Sequence, residues 1–248
     1  SINGLTPQAS NMQPFNRIIN GAMTIDQRNA GASVTQTAGV TYTVDRWAAY
    51  GTQASKFTVQ QNAGSVTPPT GFTNYLGVTS SSAYTVGSGD GFWIRQPIEG
   101  ANIADFGWGT ANAKTVTLSF WVRSSLTGAF GGAILDNFTP LSYPFSYTIA
   151  TANTWEQKTI TITGPTSGSF PTGNTAGLYL LIGLGNGATW SGTAGAWTAA
   201  NLQNVTGATS VVGTSGATFY ITGVQLESGS TASPFAHENY GDTLQKCQ

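Results

Sequence analysis

The stretch Thr115-Val116-Thr117-Leu118-Ser119-Phe120-Trp121-Val122-Arg123 decides the fold class. Its apolar residues alternate: Val116, Leu118, Phe120 and Val122 point one way, and Thr115, Thr117, Ser119, Trp121 and Arg123 the other. That period of two is the mark of a β-strand with one face buried. Thr159 to Thr163 repeats it, with Ile160 and Ile162 inward between threonines. Thr41 to Tyr50, Lys56 to Gln60, Gly91 to Ile98 and Pro144 to Ile149 are further strand candidates. Gly177 to Leu184 is almost continuously apolar, as a central strand covered on both faces would be. Ala217 to Glu227 sets Phe219 and Ile221 against Tyr220 and Thr222, then shifts phase at Gly223 into Val224 and Leu226. A glycine at a phase shift predicts a β-bulge.

Between these segments lie Gly/Ser/Pro-rich stretches at Asn62 to Gly71, Gly87 to Gly91, Gly164 to Gly177 and Gly207 to Gly216. No helical pattern of useful length is present. Thr198 to Leu202 is read as one turn at most, and Tyr240 to Gln248 as the start of a helix. No repeat of 20–50 residues is visible, which disfavours solenoids and propellers. The expected architecture is therefore an all-β, two-sheet antiparallel β-sandwich of jelly-roll type. An extended N-terminal arm is expected over 1–15, the jelly-roll domain over 16–235, and a C-terminal tail or the start of a further segment over 236–248.

Composition agrees. The 248 residues include 32 glycines, and Ser and Thr together make up about a quarter. Trp, Tyr and Phe number 7, 9 and 12, which supplies ample core. Charged residues are only 8% of the chain, with nine Lys and Arg against ten Asp and Glu. Globular proteins usually carry about 25%. This balance excludes a phosphate-binding surface, so no nucleic-acid partner is expected. The longest apolar run, Leu178 to Ile182, is far short of the roughly 20 residues that span a bilayer, and no membrane insertion is expected. No secretory signal opens the sequence, and the chain reads as soluble as made. Cys247 is the single cysteine, so no intrachain disulfide forms, and with one histidine a Cys/His metal site is excluded.

Catalytic chemistry is sparsely supplied. His237, the only histidine, sits in a polar stretch where a solvated role is expected. The ten carboxylates are scattered, whereas glycoside hydrolysis needs two that flank one bond. Gly183-Leu184-Gly185-Asn186-Gly187 follows a strand but lacks the lysine and the helix of a phosphate loop, and reads as a turn. Gly87-Ser88-Gly89-Asp90-Gly91 offers one carboxylate to a hard cation, too little for a metal site. Asn137-Phe138-Thr139 and Asn204-Val205-Thr206 match the glycosylation sequon, which means little without a secretory signal. No catalytic residue, metal or cofactor is assigned. The aromatic set is more telling. Trp190, Trp197 and Trp108 lie in Gly/Ala/Thr-rich segments that read as loops. Packing in the core or against another subunit is the readier reading. Glycan contact is the functional one, because aromatic faces pack on sugar C–H surfaces, and these three are the candidate contacts.

Some motifs resemble a known family. Asn16-Arg17-Ile18-Ile19-Asn20-Gly21, then Asp26-Gln27-Arg28-Asn29-Ala30-Gly31 and Val44-Asp45-Arg46-Trp47, resemble the start of bacteriophage tail-fibre and minor tail proteins. Thr117 to Ser124 is similar to a strand of the carbohydrate-binding-module-like jelly rolls in those fibres. Phe219 to Glu227, with Gly229 and Ser233-Pro234-Phe235, is similar to their closing strand. Tyr240-Gly241, Leu244 and Cys247-Gln248 resemble the segment that commonly follows, which continues further in that family, so a truncated chain or a short-tailed variant is expected. The resemblance implies a virion protein of the tail or fibre, a homotrimer in contact with other virion proteins, that contributes to host adsorption through weak multivalent binding of bacterial surface glycan. The alternative is a capsid decoration (cement) protein of purely structural role. A polysaccharide depolymerase is the least favoured reading, and the resemblance supplies no catalytic residue.

Overall fold

The computed structural model describes residues 16–136 and 140–248. The arm expected over 1–15 and the sequon at Asn137 lie outside the described residues. Strands β1 (Val34–Thr35), β4 (Phe57–Gln61), β5 (Leu76–Ser80), β7 (Val116–Ser124), β10 (Glu156–Ile162) and β14 (Thr218–Ser228) build one sheet, in the order β1-β4-β5-β14-β7-β10. Strands β2 (Gly39–Tyr42), β3 (Ala48–Gly51), β6 (Gly91–Glu99), β8 (Gly128–Asp136), β9 (Ser142–Ile149) and β11 (Ala176–Asn186) build the second, in the order β2-β3-β6-β11-β8-β9. Pairing within both sheets is antiparallel. The protein is thus an all-β sandwich of two antiparallel sheets, of jelly-roll type. One short helix, α1 (Tyr240–Cys247), follows the last strand. Among the described residues no helix is long and apolar enough to cross a membrane.

The core lies between the sheets. Val116, Leu118, Phe120 and Val122 of β7 meet Leu178, Leu180, Ile182 and Leu184 of β11 there, all fully buried. β11 is central, flanked by β6 and β8, as its apolar run implies. In β14 the register against β7 slips between Thr222 and Gln225, and Gly223 sits at φ 60°. This bulge lets Phe219 and Ile221 on one side of it and Val224 and Leu226 on the other all reach the core.

The bulge also receives the segment 16–21. Asn16 accepts the Leu226 N–H through Oδ1 at 3.0 Å and donates Nδ2 to the Val224 carbonyl at 3.0 Å. The Arg17 N–H reaches Leu226 O at 2.9 Å, and the Val224 N–H reaches Gly21 O at 3.0 Å. A Cβ at Gly21 would run into the Val224 carbonyl oxygen, backbone that cannot turn aside. Gly21→Ala is therefore expected to destabilise the fold by about 1–3 kcal/mol, read as a lower urea midpoint at unchanged slope.

Three sequence expectations are corrected. Thr41 to Tyr50 is not one strand but two, β2 and β3, because Thr43–Trp47 folds into a tight turn. The Trp47 N–H bonds Val44 O at 2.9 Å, and Arg46 takes a left-handed φ of 71°. Thr198 to Leu202 forms no helical turn; Thr198 makes a β-bridge with Ser142, and the chain then bends so that the Ala200 N–H reaches Thr198 O at 2.8 Å. Strands β5 and β8 go unmarked in the sequence reading, since Leu76–Ser80 and the glycine-rich Gly128–Asp136 lack clean alternation.

The motifs of the first fifty residues meet in one hub. Asn20 donates Nδ2 to the carbonyls of Ile25 and Asp45, each at 2.9 Å, and accepts the Ile25 N–H at 3.1 Å. Asp45 Oδ2 accepts from the Gln27 backbone and side chain, both at 3.0 Å. Trp47, wholly buried, donates its indole N–H to Asn20 O at 3.3 Å.

Candidate functional site

A groove of about 490 Å³ runs over the outer face of the second sheet. Its floor follows from strand parity. In β6, Phe92 and Ile94 enter the core, so Trp93 and Arg95 point outward. The cross-strand register sets Tyr50 of β3 opposite Trp93, and Leu181 of β11 opposite Arg95. Tyr50 and Trp93 stack with ring centroids 4.3 Å apart and planes 10° from parallel. Tyr179, Leu181 and Leu135 continue the floor across β11 and β8.

The wall is the long connection between β11 and β14. It lies across the sheet because the sheet is bare beneath it: a Cβ at Gly183 or Gly131 would collide with the buried Asn204 side chain. Short strands β12 (Ser191–Gly192) and β13 (Asn204–Val205) pair in parallel within this connection and brace it. Trp190, Asn201 and Gln203 reach the groove from it. The Gln203 N–H bonds Trp190 O at 2.8 Å, and Gln203 Nε2 donates to Asn201 Oδ1 at 3.2 Å. Two buried lining atoms, the Trp93 indole N–H and Gln203 Oε1, have no hydrogen-bond partner among the described residues. An unmatched buried donor or acceptor costs about 1–3 kcal/mol, which a hydroxyl-bearing ligand or water would offset.

Of the three tryptophans singled out from sequence, the structure separates one from the other two. Trp190 is half-buried at the groove, its ring 6.2 Å from that of Trp93, and its indole N–H bonds Gly89 O at 2.9 Å. Trp108 and Trp197 pack edge to face at 5.4 Å in a separate cluster with Phe170. Trp108 is only 5% exposed and bonds Lys114 O, while Trp197 bonds Thr163 O. Tyr50, Trp93, Arg95, Tyr179 and Gln203 escape the sequence reading. The parity of Gly91 to Ile98 was a usable signal for two of them, because Trp93 and Arg95 share a face opposite Phe92 and Ile94.

The Gly87–Gly91 loop, weighed above as a cation site, is a support for Trp190. Asp90 Oδ2 accepts from Tyr84 OH at 2.8 Å and from the Gly87 N–H at 2.9 Å, and Oδ1 accepts from Thr52 Oγ1 at 2.9 Å. Among the described residues no group of three or more His, Cys, Asp or Glu side chains is placed to hold a metal ion. Burial alone would raise the Asp90 pKa, but hydrogen bonds from Tyr84, Gly87 and Thr52 outweigh it and hold it below the ordinary 3.8. A lowered carboxyl pKa stabilises the folded loop above its unfolded value, and that contribution is lost as pH falls through the folded one. Acidification below about pH 4 is thus expected to loosen the Trp190 support. The check is the Trp190 fluorescence, taken as wild type minus Trp190→Phe, over an acid titration. Asp90→Asn should remove most of its pH dependence.

His237 lies against Phe72 and Phe235, at 5.3 Å and 4.9 Å, away from the groove. Among the described lining residues Asp136 carries the one carboxylate.

No protein-family model matches this sequence, and no curated protein matches it. Solved structures do resemble it in fold. A putative sugar-binding protein from Bacteroides thetaiotaomicron is 12% identical, with a TM-score of 0.47 over 87% of this chain and 100% of that one. The enzymatically active domain of tailspike protein 4 of bacteriophage CBA120 is 14% identical, with a TM-score of 0.42 over 86% of this chain. This chain spans about a fifth of that one, 21%. The carbohydrate-binding module TmCBM61, solved with β-1,4-galactotriose, is 10% identical, with a TM-score of 0.40 over 87% of this chain and 99% of that one. These are likenesses of overall fold alone.

Proposed function

We propose that this protein is a non-catalytic glycan-binding β-sandwich whose ligand lies in the groove over Tyr50, Trp93 and Trp190. The observation that carries this reading is the outward aromatic stack of Tyr50 on Trp93, set beside Trp190 and the amides of Asn201 and Gln203. Trp93, only 3% exposed, is the base on which half-buried Tyr50 and Trp190 present apolar ring surface to sugar C–H bonds, while the amides supply hydrogen bonds that fix orientation. The volume falls within the range of about 300–1,000 Å³ usual for ligand sites. Among the described lining residues only Asp136 bears a carboxylate, which favours binding over hydrolysis, since hydrolysis needs two.

We further place this module on a phage tail or fibre, as part of a homotrimer that adsorbs to host surface glycan. The resemblance of Asn16–Gly21, Val44–Trp47 and Phe219–Glu227 to such proteins supports that placement. Three shallow sites on one assembly act by avidity, so each alone is weak. Isothermal titration of the protein with soluble oligosaccharides, joined to glycan-array screening, tests the reading. Binding that saturates at one site per chain, with micromolar or weaker affinity, is the expected result. Nanomolar affinity for an isolated monomer contradicts the avidity argument, and the absence of any glycan binding overturns the function.

A further inference from the structure

We propose that the groove takes an anionic glycan and that Arg95 is the side chain that binds its sugar carboxylate. This inference rests on the groove being a glycan site and adds the class of sugar. Arg95 stands in the middle of the floor, between Ala48 of β3 and Leu181 of β11 in the cross-strand register. Its guanidinium lies 5.0 Å from the centroid of the Tyr179 ring, within cation–π range.

What sets Arg95 apart is its place: it brings the one cation among the described residues that line the groove. Arg17, Arg46, Lys114, Lys158 and Lys246 each form an ion pair with a carboxylate. Among the described residues Arg28, Lys56, Arg95 and Arg123 form none, and of these four Arg95 alone lines the groove, half-buried and with a carboxylate-bearing residue nearby in the lining. That residue, Asp136, sits opposite Leu178, whose side chain enters the core, and Asp136 Oδ2 accepts the Ser169 N–H at 3.4 Å. Strand parity therefore directs Arg95 and Asp136 to opposite faces of the sheet. The outward face of the floor carries aromatic rings, aliphatic side chains and one cation.

A neutral sugar laid over that floor would cover the guanidinium without neutralising it. A carboxylate would do so with two parallel N–H···O bonds, the geometry the planar fork is built for. Partial exclusion of water by the rings on either side strengthens that attraction relative to bulk solvent.

The test compares each acidic polymer with its own carboxyl-reduced form, so that backbone and linkage stay constant. Alginate, polygalacturonate and hyaluronan serve as probes, in affinity electrophoresis and titration calorimetry, against wild type, Arg95→Gln, Arg95→Lys and Trp190→Ala. At least one acidic polymer is expected to bind about tenfold or more tightly than its reduced form, equivalent to about 1.4 kcal/mol. Arg95→Gln should abolish that difference, Arg95→Lys should retain part of it, and added salt should narrow it. Thermal unfolding identifies any variant that has lost its fold. Equal binding of parent and reduced polymers, or a preference that survives in Arg95→Gln, overturns the proposal. Binding only to neutral glycans, lost in Trp190→Ala and kept in Arg95→Gln, overturns the anionic class but leaves the groove a glycan site. No binding to acidic or neutral polymers removes both readings.

Discussion

Trp190→Ala is expected to weaken glycan binding by about 10–100-fold, or about 1.4–2.8 kcal/mol, while leaving the fold intact. Trp190 is the aromatic side chain that the wall contributes to the groove, and it leans on Trp93. Central aromatic residues of this kind carry a large share of binding energy at protein surfaces. The side chain belongs to a connection rather than to the inter-sheet core, so its truncation removes little of what holds the sandwich together. Trp190→Phe keeps a ring but loses the bond to Gly89 O, and should fall between wild type and alanine. Calorimetric titration with the best ligand, alongside urea unfolding, separates the two effects. An affinity loss that merely tracks a stability loss would show Trp190 to be a structural residue.

The largest stability effect is expected at Trp47. Its side chain is wholly buried, and its indole N–H satisfies Asn20 O within the hub that joins residues 20–27 to the β2–β3 turn. Trp47→Ala leaves a cavity and removes one of the two hydrogen bonds to Asn20 O, which keeps the Met23 N–H at 3.0 Å, at about 3–5 kcal/mol. Against the usual total of about 5–15 kcal/mol this leaves a marginal protein. Chemical denaturation should show the midpoint shift, and Trp47→Phe should recover part of it by refilling the volume.

The contrast between these two tryptophans shows what the sequence makes legible. The strands that alternate cleanly, β7 and β10, are readable because one face is apolar and the other is not. The bulge at Gly223 is readable because a shift of one residue turns every side chain over. The motifs around Asn20, Asp45 and Trp47 are the most distinctive in the chain, yet they spell out a structural hub and say nothing of the ligand. The groove is harder to see. Tyr50 and Tyr179 lie in strands whose two faces both carry apolar residues, so pattern alone cannot mark the outward one, and in β6 it is the charge of Arg95 that marks the face of Trp93. Gln203 comes to the floor only because glycines 131 and 183 let a distant connection lie flat on the sheet. Trp108 and Trp197 illustrate the converse. Their glycine-rich surroundings suggest exposed loops, but the segments close over each other and over Phe170.

The position of β14 bears on how the chain reaches this structure. It is the last strand in sequence, yet it is the middle of its sheet, between β5 and β7. Its bulge also binds Asn16 across 208 and 210 residues of chain. A nascent chain that has left the ribosome only as far as β13 holds two unconnected fragments of that sheet, β1-β4-β5 and β7-β10, with open strand edges between them. Contacts so distant in sequence form slowly, and exposed edges invite pairing with other chains in the interval. The sandwich therefore closes in one late event, when β14 enters from the C-terminal side and segment 16–21 locks onto it. Productive folding of this protein is set after synthesis of Ser228 rather than progressively along the chain.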